Sequence, residues 1–469
     1  MASRTSARQD SLSSQDLAEQ AVASLLRRGL VGEVHVTVVD GLDAEFAVGK
    51  LRNCGSGGRL HLSLRLIKDG RVGFYTTTDP SDLELAVDRA VALANLGEEL
   101  KLELPGPLAA SGDAPADLQV HDPAAVALEP AELVARVGAL YEKVTAVTPG
   151  AEIRITGARE IEETWLANTA GAAVGRLATR MSLMLFLQRC AAEDVLMLWD
   201  GRDSARLDDA VFEELGARVE HLYAAAATRS ELPPLDKSAA GREGRRPVVL
   251  APEVSYVPLI PLMQGLDGMN ANRGISPLLD KVGQQLLAQD FTLTDDPWLT
   301  GDAGATLYDD EGIPTARRDL VAGGVVGGFL HDLRSAALGG VISTGNGRRG
   351  RGQAPRMGPH SLCVAPGRMS LAEMLKEAEG GLYIVSVIGG GPGALAGAFS
   401  HPVGVGYLIE DGRLAGRVKD VAIAGNVYEI LRDGLAGLED RTYRVGGGWM
   451  GLAMRAPHIL LDGVGVSGA

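Results

Sequence analysis

The sequence predicts an α+β protein: an N-terminal antiparallel sheet with covering helices, then a β-rich, barrel-like C-terminal domain. Three observations carry that expectation. Up to about residue 230, segments with a helical apolar period are interspersed with segments of two-residue alternation. Residues 231–247 (ELPPLDKSAAGREGRRP) have no apolar period and read as a linker. Beyond them, short apolar runs alternate with glycine turns at Gly323-Gly324, Asp411-Gly412 and Asp433-Gly434. The expected organisation is a disordered lead over 1–14, an α+β domain over 15–230, the linker, and a β-rich domain over 248–469.

The elements follow in order. Ser13 and Asp16 have capping-box spacing, Leu17, Ala21 and Leu25 share a helical face, and Gly29 ends the helix. Two alternating runs come next, Val34 to Val39 and Ala44 to Val48. Leu60 to Ile67 and Val72 to Thr76 flank Lys68-Asp69-Gly70 as a hairpin. Asp79-Pro80 opens a second helix reaching about Asn95 and closed by Gly97; Pro130 opens a third. Strands are expected near 153–156, 164–167 and 181–187, and a helix from about Leu207 to Ala227. Gly380 to Tyr407 carries no Asp, Glu, Lys or Arg, but its prolines and glycines make it two apolar strands around a turn rather than a membrane span.

Composition narrows the function. The 469 residues have a net charge of −15, which argues against a generic nucleic-acid or anionic-membrane binder. Three cysteines, at 54, 190 and 363, form no CxxC pair, and a reducing cytoplasm is the expected compartment. The first fourteen residues lack the apolar core of a secretory signal. All eight histidines are isolated, so no single helix presents two imidazoles to a metal. There is no GxSxG elbow and no GxxxxGK[ST] loop, and Gly389 to Gly393 lacks the lysine of a phosphate cradle.

One segment departs from the acidic background. Leu333 to Ala372 holds no acid and six arginines: Arg334, Arg348, Arg349, Arg351, Arg356 and Arg368. Glycines leave backbone amides accessible, and guanidinium forks grip carboxylates or phosphates bidentately. An anion-binding loop, a solvated loop and an RGG-like segment are the three readings, the last lacking interleaved aromatics. A facing acidic group, Asp295-Asp296, Asp302 and Asp309-Asp310-Glu311, reads as turn caps or arginine partners, with a divalent-cation site as the alternative.

The string Leu307 to Thr315 (LYDDEGIPT), then Ser343 to Arg349 (STGNGRR), resembles the TldD/PmbA (TldD/TldE) family of bacterial metallopeptidases. Arg65 to Phe74, Gly406 to Gly412 and Asp462 to Gly468 add matches in the same order, over nearly the whole chain after residue 15. Catalytic members carry HExxxH just before a segment like Gly265 to Ser276. Here Leu259, Ile260 and Gln264 stand at its first His, its Glu and its second His. The family's late metal-binding Cys is also missing, since Cys363 is the last cysteine. The resemblance therefore implies a TldE/PmbA-type subunit with no catalytic residue, metal ligand or cofactor of its own. It would pair with a TldD-like HExxxH-bearing chain that supplies zinc, and act on peptides or small amide or thiol conjugates; some members mature peptide antibiotics. Asn346, Arg348, Arg349, Arg351, Arg356, Asp309, Asp310 and Glu311 are the candidates for holding substrate or partner. A stand-alone binding or scaffold protein, or a homodimer without hydrolysis, is the alternative. A different metal at the Asp295–Glu311 cluster is a third reading.

Overall fold

A computed structural model describes residues 13–109, 112–191, 194–228, 230, 244–302, 304–389, 395–445 and 453–468. A seven-stranded antiparallel sheet forms the N-terminal half. Its strands are β1 (Val31–Ala47), β2 (Lys50–Lys68), β3 (Arg71–Thr77), β4 (Glu98–Glu99), β5 (Glu152–Asn168), β6 (Ala173–Ala191) and β7 (Asp194–Ser204). Their order across the sheet is β4-β3-β2-β1-β5-β6-β7. Alternation along β1 sets its two faces. Val34, Val36, Leu42 and Ala44 are buried under helices on one side. Glu33, His35 and Thr37 point to the other, where the arginine-bearing loop lies.

Two helix pairs cover the first face at opposite ends of the long strands. Ser14–Arg27 and Leu83–Ala94 pack on Val34, Val36, Leu62 and Leu64. Pro130–Val147 and Asp209–Ala225 pack at the other end, on a core that includes Ile155, Leu183 and Leu185. The Ser13/Asp16 capping box forms as expected. The second helix is capped by Asp82, whose side chain accepts from Leu85 N at 2.9 Å, rather than by Asp79.

Several strand limits differ from expectation. The runs at 34–39 and 44–48 are one 17-residue strand, and those at 153–156 and 164–167 are also one. Half-buried polar and small residues in mid-strand, such as Asp40, Gly41 and Glu160, hide the continuity. β2 starts at Lys50, since its first ten residues are largely exposed and carry no apolar alternation. β7 has Val195, Met197 and Trp199 on its open face, so its apolar run conceals the two-residue period.

The C-terminal half contains a closed five-stranded barrel. Leu382–Val387, Arg245–Leu250, Ile459–Gly468, Val421–Asn426 and Ala398–Glu410 pair in that order, and the last pairs back onto the first. Asp411 (φ 51°) and Gly412 (φ 65°) make the tight turn out of Ala398–Glu410. The barrel strand Arg245–Leu250 takes up the last three residues of the segment read as a linker. Residues 231–243, residues 1–12 of the lead and Gly390 to Gly393 lie outside the described residues. Helix Ser14–Arg27 and its Ser13 cap claim the final two positions of the lead. A second, six-stranded sheet carries Leu293–Asp295 beside Ser361–Val364. Among the described residues, no helix is long and apolar enough to cross a membrane.

Candidate functional site

The positions expected from the resemblance to match the zinc motif lie on helix Tyr256–Gly265, which is uncharged and, apart from Gln264, largely apolar. Leu259 is fully buried, Ile260 packs against the core, and Gln264 is half-buried. Pro258 and Pro261 are buried in the same helix. These side chains do not fit a zinc ion, which takes thiolate, imidazole or carboxylate ligands. Among the described residues, no group of three His, Cys, Asp or Glu side chains converges as a metal site would require.

The acidic cluster holds turns together. Asp309 Oδ1 accepts from Glu311 N and Ile313 N at 3.0 and 2.8 Å, and its Oδ2 accepts from Gly347 N at 2.8 Å. Burial, then the neighbouring Glu311 charge, raises the Asp309 pKa well above its usual value. Glu311 accepts from Leu333 N at 2.7 Å and from Arg65 at 2.5 Å. Asp295 accepts from Asn346 Nδ2, His360 N and Ser361 N at 2.7 to 3.0 Å, and burial pushes its pKa up to about 6. Backbone donors aimed at these oxygens make the cluster a folding device rather than a cation site.

Asn346 belongs to the same device. Its Nδ2 also donates to Gly358 O at 3.2 Å, and its Oδ1 accepts from Thr344 Oγ1 at 2.7 Å. It is 1% exposed, so it shapes the turn and offers no surface to a ligand. Gly345 before it has φ 75°, and a Cβ there would lie 2.5 Å from Pro314 O.

The arginines, read from sequence as a single basic loop, have separate tasks. Arg349 is buried against Glu33 of β1, and its Nε donates to Asp310 O at 2.8 Å while its N donates to Asp310 Oδ2 at 2.8 Å. Arg351 grips Glu160 of β5 bidentately at 3.0 and 2.8 Å and reaches Glu162 at 3.0 Å. Arg334 pairs with Glu98 at 2.8 Å on the surface. Arg356 is exposed and does not line the cleft described next. The positive charge of the loop is therefore answered largely by acids of the N-terminal sheet. Of the candidates for holding substrate or partner, Arg349, Arg351, Asp309 and Glu311 thus join the two halves of the chain or hold the loop.

Arg348 is the exception. It has no carboxylate partner among the described residues, and with Arg176 and Arg180 of β6, beside the paired Arg349 and Arg351, it lines a cleft of about 510 Å³ between the sheet and the loop. Its Nη1 lies 2.9 Å from His360 Nδ1, while His360 Nε2 lies 2.7 Å from Gly345 O. Burial, then the Arg348 charge, lowers the His360 pKa to about 3. His360 is thus a neutral ring that donates from Nε2 and accepts from Arg348. Arg176 donates to Ala305 O at 3.1 Å; burial lowers its pKa, with Arg348 and Arg180 adding to the effect and Glu162 and Asp310 opposing it. Arg176 and Arg180 were missed in the sequence because they lie outside the acid-free segment. Their signal was the four-residue spacing in an alternating run, which puts both on one face of a strand. A larger cavity, about 1020 Å³, lies between the 202–214 segment and Arg441–Arg444, where arginines and acids are mixed.

The profile of the PmbA/TldA metallopeptidase C-terminal domain matches residues 243–468, and that of PmbA/TldA metallopeptidase domain 1 matches residues 32–94. Between them they span more than half of the chain. A metalloprotease of Methanothermobacter thermautotrophicus is 26% identical over 90% of this chain and 91% of its own. The metalloprotease PmbA of Escherichia coli O157:H7 is 30% identical over 40% of each chain. In structure, TldE from Thermococcus kodakarensis superposes with a TM-score of 0.80 at 24% identity, covering 96% of this chain and all of that one. A Bacteroides thetaiotaomicron protein described as a modulator of DNA gyrase gives 0.83 at 21% identity, covering 97% and 98%. At these identities the structural likenesses speak to the fold.

Proposed function

The chain belongs to the PmbA/TldD metallopeptidase family, and from that premise we propose that it is the noncatalytic, TldE/PmbA-type subunit of a heterodimeric zinc metallopeptidase. The observation that carries this reading is the helix Tyr256–Gly265. Where a catalytic member needs two imidazoles and a general base, it has Leu259 and Ile260 packed with the protein's apolar core and the half-buried amide of Gln264. Converting that helix into a metal site would need three substitutions and a ligand from elsewhere. A chain with this helix can still shape a shared cavity, and the zinc then belongs to an HExxxH-bearing partner in the cytoplasm. The substrates on this reading are peptides or small amide or thiol conjugates, with natural-product maturation as one setting. Metal analysis of the purified chain, alone and co-purified with such a partner, tests the assignment. Stoichiometric zinc is expected only in the co-purified sample; one zinc per isolated chain would overturn it.

A further inference from the structure

The geometry points to the cleft between β6 and the Arg348 loop as a binding site for a peptide carboxylate, held by Arg348, Arg176 and Arg180. The inference rests on the peptidase-subunit reading for its ligand class, but its residues are argued independently.

Placement comes first. Strand register sets Arg176 opposite Thr164, and Thr164 opposite Thr37, so the guanidinium rises from the floor of the sheet that faces the loop. Arg180, opposite Glu160, stands on the same face of β6, exposed at the cleft mouth. Arg348 enters from the opposite wall. Side chains four apart on a strand have Cα atoms about 13 Å from each other, a span that long arginines close around a ligand set between them.

Charge comes second. The neighbouring arginines of the loop have carboxylate partners: Arg349 has Glu33, and Arg351 has Glu160 and Glu162. Among the described residues, Arg348 has only the neutral His360 ring as a hydrogen-bond partner, and neither Arg348 nor Arg180 has a carboxylate within ion-pair distance. Three guanidinium groups around one cleft repel each other, and an anion between them relieves that repulsion.

Glu160, Glu162 and Asp310 line the same cleft and bear on which anion it takes. A peptide brings N–H donors, or an ammonium, that these three acids accept, and inorganic phosphate brings neither. The volume is within the roughly 300–1,000 Å³ typical of small-ligand sites, which suits the end or a short stretch of a peptide rather than a folded protein.

The test uses the full-length chain and three fluorescent probes: dansyl-trialanine with a free C-terminus, its C-terminal amide, and amidated dansyl-Ala-Glu-Ala. Binding of either carboxylate-bearing probe at least tenfold tighter than the amidated trialanine is expected. Which of the two binds distinguishes a terminal from a side-chain carboxylate. Arg180→Gln, at an exposed position outside every ion pair described above, should weaken that binding about fivefold or more without moving the thermal midpoint. Arg348→Lys should weaken it while keeping a positive charge, since a fork is replaced by a point charge. Equal affinity for all three probes, no binding, an unaffected Arg180→Gln, or inorganic phosphate competing more tightly than acetate would each overturn the proposal. Failure of the subunit reading shows separately: the isolated chain would bind carboxylate yet form no complex with an HExxxH-bearing chain.

Discussion

Arg65 and Glu311, 246 positions apart, form a buried ion pair that joins the two halves of the chain: Arg65 Nη1 lies 2.5 Å from Glu311 Oε1. The other arm of the same guanidinium holds Glu33 at 2.7 Å, and Glu33 in turn holds Arg349. Two arginines and two glutamates thus balance inside the contact between the sheet and the loop. None of the four side chains is more than 5% exposed. Removing one member strands the others without water.

Arg65→Met should therefore destabilise the protein by about 3–5 kcal/mol, the usual result of breaking a buried pair from one side. Urea-denaturation midpoints measure it. An unchanged midpoint would show that the network adds nothing to the union of the halves.

Gly347 tests the close approach of the loop to that network. A Cβ at this position would lie 2.3 Å from Glu311 Oε2 and 2.6 Å from its Cδ. Gly347→Ala should cost about 1–3 kcal/mol through overpacking. Gly350→Ala, which meets only the flexible end of Gln353, should be nearly neutral. Thermal midpoints of the two variants make the comparison, and equal losses would contradict the geometry.

His360 and Asp295 give the stability a pH signature. An unfolded histidine takes its proton near 6.5, whereas buried His360 resists until about 3. Its contribution is full above pH 6.5 and falls as acid is added toward pH 3. Asp295 acts in the opposite sense: with its pKa raised from 3.8 to about 6, its contribution is largest at low pH and lost as pH rises through 6. His360→Gln removes the first effect and leaves the second. The stability gap between wild type and His360→Gln should narrow by about 3 kcal/mol from pH 7 to pH 4. Guanidinium titrations at the two pH values check this, and a gap that stays constant would place the imidazole in water.

Much of the fold was legible where one force acted alone. The Ser13/Asp16 cap, the Lys68-Asp69-Gly70 turn and the apolar helix faces follow from local chemistry. Asp69 and Gly70 adopt the positive φ that such a turn requires. The unseen features arise from tertiary contact. β7 and the exposed start of β2 have no distinctive period, and the closure of the barrel depends on pairing between Leu382–Val387 and Ala398–Glu410. The site was half legible for the same reason. The Arg348 loop and the Asp309-Asp310-Glu311 turn announced themselves by composition. Their meaning changed once Glu33, Arg65, Glu160 and Glu162 arrived from a distant sheet to occupy most of the charges. Arg176 and Arg180 could be placed in the cleft only once the register of β5 and β6 was known.

Grafting the zinc motif probes the apolar helix directly. Leu259→His, Ile260→Glu and Gln264→His together put polar groups at one fully buried and two half-buried positions. The triple variant should lose about 2–5 kcal/mol and gain no peptidase activity, because no late cysteine completes the ligand set. Calorimetry and a fluorogenic peptide assay report the two outcomes, and a stable, zinc-dependent peptidase would refute the claim that the site has been lost.

The most direct measurement is peptidase activity after co-expression with an HExxxH-bearing family member. A stable one-to-one complex is expected, whose zinc-dependent hydrolysis exceeds that of either chain alone and disappears when the partner's motif is mutated. Hydrolysis by this chain alone, or full activity of the partner without it, would contradict the account.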